Sequence, residues 1–323
     1  MFGGLIKKFV NTAYISIIKD GDSCDVCVKV YKNKNEISSE SKRFSLDTRE
    51  SSKLLYEFIA HKYGKYKIVY SSSLINSINQ GGVPGCDKKN FQKYEIDTTN
   101  ASVICIDKSW SIFASNYDIE NTKKEYEELG GLDFLFSSLV VLKRFFNDEL
   151  DNTATLCLLK QKTSATIAVL TKDKLLFSGY TILKSEAQED SEEDKKEDKI
   201  FDEEGLDEDR LVDLDDIALE LKDGGDLEFE SMMEDNSGSA TASIESLGSD
   251  LHILEFVKNA MTQFYKSEIY ESAFIEKISI ADPYFDSPDI KNLLENELML
   301  PVTHKKIELC SIVAGLAVEE VLF

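Results

Sequence analysis

The sequence predicts an α/β protein whose two halves open in the same way, with a strand–turn–strand–turn–strand meander. The first meander falls at residues 14–46 and the second at residues 153–183. In both, short apolar runs are separated by turn residues, and apolar stretches with helical spacing follow. The halves share this pattern but not their residues, which indicates an internal structural repeat. With 323 residues, the chain suits one large two-lobed domain or two ordinary ones.

Local signals place the elements of the first half. One face of a helix is predicted from the spacing of Leu54, Leu55, Phe58 and Ile59. Either Asp47 or Thr48, which precede it, suits the N-cap position. The glycine-rich residues 80–85 lack the lysine of a phosphate-binding loop, so we interpret them as a turn. Strands are expected at residues 14–18, 24–31, 42–46 and 67–71, helices at residues 47–62, 72–80, 120–129 and 132–146, and a hairpin at residues 101–114.

The second half contains the second meander and a closing α/β segment. A turn is expected at Asp282 and Pro283, because proline cannot continue a central strand. Strands are expected at residues 153–159, 166–170, 175–183 and 274–281, helices at residues 250–267, 287–298 and 311–323, and a short extended segment at residues 300–302.

The charge of the protein is concentrated in one segment. Residues 186–235 hold 24 acidic and five basic residues, and so supply most of the net charge of −23. Like-charge repulsion and few aromatic residues predict a disordered insertion over residues 184–250. A chain this acidic, without clusters of lysine and arginine, is not expected to bind nucleic acid.

One part of the acidic tract has an amphipathic pattern. As a helix, residues 210–222 would carry an apolar stripe on one face and acidic side chains on the opposite face. Such a short helix is not stable alone in water, so it suits either folding onto a partner's groove or a transient helix with no partner. The stripe residues are therefore candidate partner-binding residues: Leu211, Leu214, Ile217 and Leu221.

The reactive residue types form no recognisable site. The six cysteines are scattered, and we expect ordinary thiols rather than a disulfide framework. Cys24 and Cys27 lie three apart in a predicted strand, so they point to opposite faces and no further ligand pair lies near them. The three histidines are far apart. No run of about 18 apolar residues or signal peptide is present, so we expect a cytoplasmic protein that does not insert directly into a membrane.

Three stretches of the chain together resemble a known family. They are the opening MFGGLIKKF, the middle TATLCLLKQKTSATIAVLTKDKLLFSGYTIL, and the end FIEKISIADPYFDSPDIKNLLENELMLPV followed by AGLAVEEVL. Their order and spacing resemble the actin-like superfamily, shared by actin, Hsp70 and sugar kinases, and within it the PilM and GspL cytoplasmic-domain type. The resemblance implies an actin-like two-lobed fold interrupted by the acidic insertion. Its implied parts are a first-lobe core (1–65), an inserted subdomain and connecting helix (66–150), a second-lobe meander (151–183), the insertion (184–250) and the second-lobe completion (251–323).

The resemblance also implies where a nucleotide would bind. Actin-like ATPases hold phosphates and Mg²⁺ with an Asp-x-Gly turn in each lobe. Here the first lobe retains Asp20 and Gly21, the only candidate cofactor-binding residues. The second turn reads Leu-Leu-Lys-Gln-Lys at residues 158–162, and the adenosine turn reads Ala-Asp-Pro at residues 281–283. We therefore expect no cofactor and no ATP hydrolysis, with weak nucleotide binding left open.

A partner is implied by the same family. PilM-like proteins bind a short cytoplasmic tail of an inner-membrane protein such as PilN, in a cleft beside the first meander, and self-association into a ring is a further option. The sequence thus predicts a non-enzymatic scaffold for a type IV pilus, a secretion or DNA-uptake system, or a flagellar motor accessory, peripheral to the inner membrane. The alternative is an active actin-like ATPase or small-molecule kinase. Docking residues are expected among those of the meander that face outward: Tyr14, Ile15, Ile17, Val26, Val28 and Val30.

Overall fold

The computed structural model describes residues 10–183, 237–287 and 289–322. Elements are numbered here in chain order. The strands are β1 (Thr12–Asp20), β2 (Ser23–Lys32), β3 (Asn35–Ser45), β4 (Ile68–Leu74), β5 (Gln80–Pro84), β6 (Ala101–Ile106), β7 (Trp110–Ser115), β8 (Phe134–Phe136), β9 (Ala154–Lys160), β10 (Ser164–Leu170), β11 (Leu175–Ile182), β12 (Ile275–Asp282) and β13 (Val302–Lys306). The helices are α1 (Arg49–Lys65), α2 (Lys88–Lys93), α3 (Asn116–Glu125), α4 (Ser138–Phe146), α5 (Ser237–Lys266), α6 (Ile290–Leu298) and α7 (Leu309–Leu322), with a 3₁₀ turn at Glu127–Leu129.

Two five-stranded sheets with the same topology form the two lobes. The first lobe has the strand order β3-β2-β1-β4-β8, and the second has β11-β10-β9-β12-β13. In each, three antiparallel meander strands are continued by two parallel strands. The predicted repeat is therefore confirmed. Strands β5, β7 and β6 form a separate three-stranded antiparallel sheet.

The helices between the two sheets are exchanged between the halves of the chain. Helix α4 comes from the first half and contacts β9 and β10, whereas α7 comes from the second half and contacts β1, β2 and β4. Val141 of α4 and Val313 of α7 are fully buried in one apolar cluster that includes residues of both sheets. Burial of this shared cluster therefore holds the two lobes together.

Each sheet is covered on its other face by a separate apolar core. In the first lobe, Leu55 and Ile59 of α1 pack on the strands of the meander. In the second lobe, Val257 and Phe264 of α5 and Leu294 of α6 pack on the corresponding strands. Each sheet thus lies between two layers of helix, the arrangement of doubly covered α/β sheets.

Some predicted helices are strands. Residues 72–80 are not helical: β4 continues to Leu74, where Ser73 Oγ donates a hydrogen bond to Ile17 O (2.7 Å), and residues 80–84 form β5 rather than a turn. The predicted helix at residues 132–146 is wrong in its first part, because Phe134–Phe136 pairs with β4 as β8. Short apolar runs of this kind do not distinguish strand from helix by periodicity.

The end of the predicted insertion also differs. Helix α5 begins at Ser237, before the expected start at residue 250, because extending a helix costs much less than nucleating one. The expectation of disorder for residues 184–236 lies outside the described residues, as does the amphipathic segment at residues 210–222. Within the described ranges, no helix is long and apolar enough to cross a membrane.

The cysteines give one correction and one confirmation. Cys86, after β5, forms a disulfide with Cys105 of β6, with the two Cα atoms 5.4 Å apart. The expectation of free thiols is wrong here, because the small sheet brings together residues that lie far apart in sequence. Cys24 and Cys27 are buried free thiols in different cores, on opposite faces of β2. Burial raises the pKa of the Cys24 thiol to about 12.

Two adjacent leucines of α1 test this packing. Leu55 is 2% exposed, whereas Leu54, predicted on the same face, is 57% exposed. We expect Leu55→Ala to lower the free energy of unfolding by about 2–5 kcal/mol, because it leaves a cavity in the core. The matched Leu54→Ala should change it by less than about 0.5 kcal/mol. Denaturant unfolding followed by circular dichroism measures both, and equal losses would contradict the assigned helix face.

Candidate functional site

Three turns meet where the two lobes face each other. They are the turn between β1 and β2, the turn between β9 and β10, and the turn after β12. Strands β9 and β12 are parallel neighbours, so their C-terminal residues, Lys160 and Asp282, lie at the same edge of the second sheet. The turn between β1 and β2, from the first lobe, reaches this edge. We call the polar residues gathered there the interlobe cluster: Asp20, Asp22, Lys160, Lys162, Thr163, Asp250, Asp282, Asp286, Ser287 and His304.

Asp20 joins the two lobes directly. Its carboxylate accepts hydrogen bonds from the backbone N–H groups of Lys162 (2.8 Å) and Thr163 (2.9 Å) and from Thr163 Oγ1 (2.8 Å). The side chain is only 2% exposed, and both of its oxygens are used. The two N–H groups at the second-lobe turn therefore bind a carboxylate of the same chain.

Gly21 allows this close approach. It has a φ of +60°, and a Cβ added there would lie 3.3 Å from Thr163 Cγ2. Beside it, Lys162 Nζ donates to Asp22 Oδ1 (2.7 Å). This hydrogen bond lowers the pKa of Asp22 below its usual value. The turn is thus attached to the second lobe through both of its aspartates.

Asp282 accepts backbone N–H groups inside the second lobe, as Asp20 does between the lobes. It is fully buried, and its Oδ1 accepts the backbone N–H groups of Tyr284 and Phe285, each at 2.8 Å. Its Oδ2 lies 3.2 Å from His304 Nε2 and 3.7 Å from Lys160 Nζ. Burial alone would raise the pKa of Asp282, but these hydrogen bonds and the charge of Lys160 outweigh it and hold the pKa below its usual value.

Lys160 places a positive charge between two carboxylates. Its Nζ donates to Asp286 Oδ1 (2.7 Å) in addition to its pairing with Asp282. The side chain is nearly buried. Burial by itself would lower the pKa of Lys160, but the two aspartates outweigh that effect and raise it. The ammonium group is therefore kept charged at neutral pH.

The carboxylate of Asp250, on α5, accepts fewer hydrogen bonds than those of Asp20 and Asp282. Its Oδ2 hydrogen-bonds Ser287 Oγ, while its Oδ1 is buried without a partner among the described residues. Burial raises the pKa of Asp250, and the hydrogen bond from Ser287 offsets only part of this rise. The cluster therefore contains one carboxylate whose charge costs stability at neutral pH.

These residues do not fit a nucleotide with Mg²⁺ in the way that the family resemblance implies. A phosphate would need the N–H groups of Lys162 and Thr163, and these already donate to Asp20. The N–H groups of Tyr284 and Phe285, after β12, already donate to Asp282. Internal carboxylates take the place that an anion would need. No group of side chains suited to a metal ion occurs in the parts of the chain that the structure describes.

The predicted docking residues of the meander do not form a surface. Tyr14, Ile15, Ile17, Val26, Val28 and Val30 are all buried, none more than 2% exposed. The expectation that alternate side chains face outward is wrong, because helices cover both faces of the sheet. The other four candidates, Leu211, Leu214, Ile217 and Leu221, lie outside the described residues.

Two family models match the sequence. The model described as domain of unknown function DUF8569 matches residues 9–143, and that described as domain of unknown function DUF8341 matches residues 156–322, more than half of the chain. The chain belongs to the DUF8341 family. No curated protein matches it significantly.

Solved structures show the fold of this DUF8341 member. The PilM–PilN type IV pilus biogenesis complex is similar over 94% of this chain and 95% of that chain, with a TM-score of 0.53 and 11% identity. A Bacteroides thetaiotaomicron protein with an actin-like ATPase fold and unknown function is similar over 98% and 99%, with a TM-score of 0.48 and 12% identity. EutJ from Carboxydothermus hydrogenoformans is similar over 95% and 89%, with a TM-score of 0.43 and 10% identity. The predicted actin-like fold is confirmed.

Sequence reasoning found only part of the interlobe cluster. It identified Asp20 and Gly21 from the family turn, but it treated Lys160 and Asp282 only as departures from that turn. Their partners, including Thr163 and His304, were not identified. The sequence did contain a signal for Lys160 and Asp282. Each is a charged residue at the end of an apolar strand, β9 or β12, where a charge without a partner would be costly.

Paired aspartate variants test the electrostatics of the cluster. The folded-state pKa of Asp282 is lowered, so its charge stabilises the fold above the unfolded value near 3.8, and this is lost as pH falls through the folded pKa. Asp282→Asn should therefore lower the free energy of unfolding at pH 7 by about 3–5 kcal/mol, because it also leaves Lys160 short of a partner.

Asp250→Asn should have the opposite effect. The folded-state pKa of Asp250 is raised, so its contribution is favourable below about pH 3.8 and is lost as pH rises through the folded pKa. We expect this variant to have a higher melting temperature than the wild type at pH 7, with the difference vanishing towards pH 3.8. Thermal melts across pH 3.5–7.5 provide the measurement. A lower melting temperature at pH 7 would show that Lys160 stabilises the Asp250 anion.

Proposed function

We propose that the protein is a non-enzymatic PilM-like scaffold that docks on the cytoplasmic tail of an inner-membrane protein in an envelope-spanning machine. The observation that supports this most is the internal pairing of the interlobe cluster. Asp20 and Asp282 accept the turn N–H groups that a nucleotide would need. Lys160 pairs with the carboxylates of both Asp282 and Asp286. A fixed arrangement of the lobes suits a binding platform better than a cycle of opening and closing.

The hydrogen bonds that the Asp20 carboxylate already accepts argue against phosphoryl transfer. In an actin-like ATPase, carboxylates of the two turns would bind Mg²⁺, which takes oxygen ligands in near-octahedral geometry. Here the carboxylate oxygens of Asp20 already accept three hydrogen bonds. Displacing them would leave buried donors unsatisfied, at a cost of about 1–3 kcal/mol each.

The nature of the partner is proposed from the PilM–PilN complex. In that structure, PilM is assembled with PilN in type IV pilus biogenesis. By analogy, this chain would be recruited to the inner membrane by a tail of PilN-like type, in a pilus, a secretion or DNA-uptake system, or a flagellar accessory. Individual apolar residues of the first lobe are exposed, and each is a candidate contact for such a tail: Ile37, Leu54 and Tyr56.

A nucleotide assay tests the pseudo-enzyme proposal. We expect no Mg²⁺-dependent ATP hydrolysis above background and no saturable binding of a fluorescent ATP analogue, because Asp20 occupies the donors of the second-lobe turn. Asp20→Ala is the control for contaminating activity. ATP hydrolysis that is present in the wild type and disappears in Asp20→Ala would favour an active ATPase.

A salt series tests how a partner tail binds. We expect the affinity for a membrane partner's cytoplasmic tail to change little between low and high salt, because docking on the first lobe depends on apolar burial. A chain lacking residues 186–236 should bind as well as the full chain. Isothermal titration calorimetry on both chains measures this. Binding that is steeply salt-dependent and absent from the shortened chain would assign docking to the acidic tract.

A further inference from the structure

Strand β3 forms one edge of the first sheet and is the longest strand that the structure describes. It has 11 residues, and all of them except Phe44 are exposed. Among the described residues, β2 is its only strand partner. An edge of this length presents a row of backbone N–H and C=O groups with which another strand can pair.

The pairing with β2 determines which backbone groups face outward. At the end of this ladder, Leu46 N–H donates to Asp22 O (2.6 Å). Hydrogen-bonded residues alternate along an antiparallel pair, so even-numbered residues of β3 bond to β2. The N–H and C=O groups of Ser39, Ser41 and Arg43 therefore point away from the sheet.

The regular part of this edge favours one position for a two-fold axis. A register shift in the β2–β3 ladder passes over Ile37, so the undisturbed stretch of β3 runs over residues 38–45. The axis must pass through a residue whose backbone groups face outward. An antiparallel copy of the same strand, related by an axis at Ser41, would pair residues 38–44, whereas an axis at Ser39 or Arg43 would pair fewer of the undisturbed residues.

The charges of β3 match in this register. Glu40 would lie opposite Lys42 of the second copy, and the symmetry gives this pair twice. The two side chains are on the same face of the strand, and both are exposed. Glu40 also pairs with Lys62 of α1 through its Oε2 (2.5 Å), so Lys42 of the second copy would be a second cation beside this carboxylate. Opposite charges directly across an antiparallel ladder are favourable, whereas like charges are unfavourable.

Neighbouring registers are excluded by both criteria. An axis at Glu40 would place Glu40 opposite itself, and an axis at Lys42 would place Lys42 opposite itself. These even-numbered residues also direct their backbone groups to β2. The backbone direction and the charges therefore both exclude the two adjacent axes, and the register shift at Ile37 disfavours an axis at Ser39.

We propose that the β3 edge is an interaction surface for a second copy of this chain, which pairs antiparallel through residues 38–44 about a two-fold axis at Ser41. The interaction joins the first sheets of two molecules into one ten-stranded sheet. A two-fold contact of this kind closes at a dimer and leaves no open end. The contact area is limited to one strand and its flanks, so the association is of the weak class. This inference does not depend on the proposed tail partner.

Charge reversal provides the test. Sedimentation-velocity analysis of the full chain at 0.15 M salt, up to about 0.5 mM protein, should show a reversible monomer–dimer equilibrium. Glu40→Lys and Lys42→Glu should each weaken dimerisation about tenfold or more, since each places two like-charge pairs across the axis. The double variant Glu40→Lys/Lys42→Glu should restore it. Ser41→Pro should abolish it, because proline removes an outward N–H that does not bond to β2.

A matched control comes from the same strand. Glu36 lies beyond the register shift and has no opposite residue within β3 in this pairing, so Glu36→Lys should leave dimerisation unchanged. Circular dichroism melts verify that every variant is folded. A wild-type protein that stays monomeric over the whole range overturns the proposal. So does a dimer that Glu40→Lys does not weaken, that Glu36→Lys weakens equally, or that the double variant fails to restore.

Discussion

The carboxylate of Asp20 crosses from the first lobe to the second and accepts the backbone N–H groups of Lys162 and Thr163. Both turns are ends of hairpins in duplicated sheets, and each sheet fixes the position of its turn. Because Asp20 is buried, the loss of any of these hydrogen bonds would leave a charge unsolvated, which is expensive. The relative position of the lobes is thus set by polar contacts at the cluster as well as by the apolar layer of α4 and α7.

The interlobe cluster joins the two lobes of this actin-like fold through side chains of the chain itself. In the second lobe, Asp282 organises the residues after β12 in the same way that Asp20 organises the second-lobe turn. Lys160 then supplies positive charge among the aspartates. Buried ion pairs are rarely a net source of stability compared with apolar residues, and one well-supported use of them is to specify a single arrangement. We infer that this cluster serves mainly to fix one geometry of the junction.

The sequence predicted the fold better than it predicted the site. Meander strands such as β1, β2, β9 and β10 are recognisable because their residue pattern is local. Segments such as β8, three residues long, are strands only because β4 lies beside them, so local periodicity could not identify them. The contact of Asp20 with Thr163 joins residues 143 positions apart, and it exists only after both lobes have folded. The burial of β1 and β2 on both faces likewise follows from two helices, α1 of the same half and α7 of the opposite half of the chain.

Amide hydrogen exchange at single-residue resolution tests the central claim most directly. If internal carboxylates occupy the donors of the junction, the amides of Lys162, Thr163, Tyr284 and Phe285 exchange slowly in the protein alone, and adding Mg²⁺ and ATP leaves their rates unchanged. In Asp20→Ala, the first two amides should exchange faster while the last two remain protected. Rapid exchange of all four amides in the wild type, with protection only after nucleotide is added, would contradict the account.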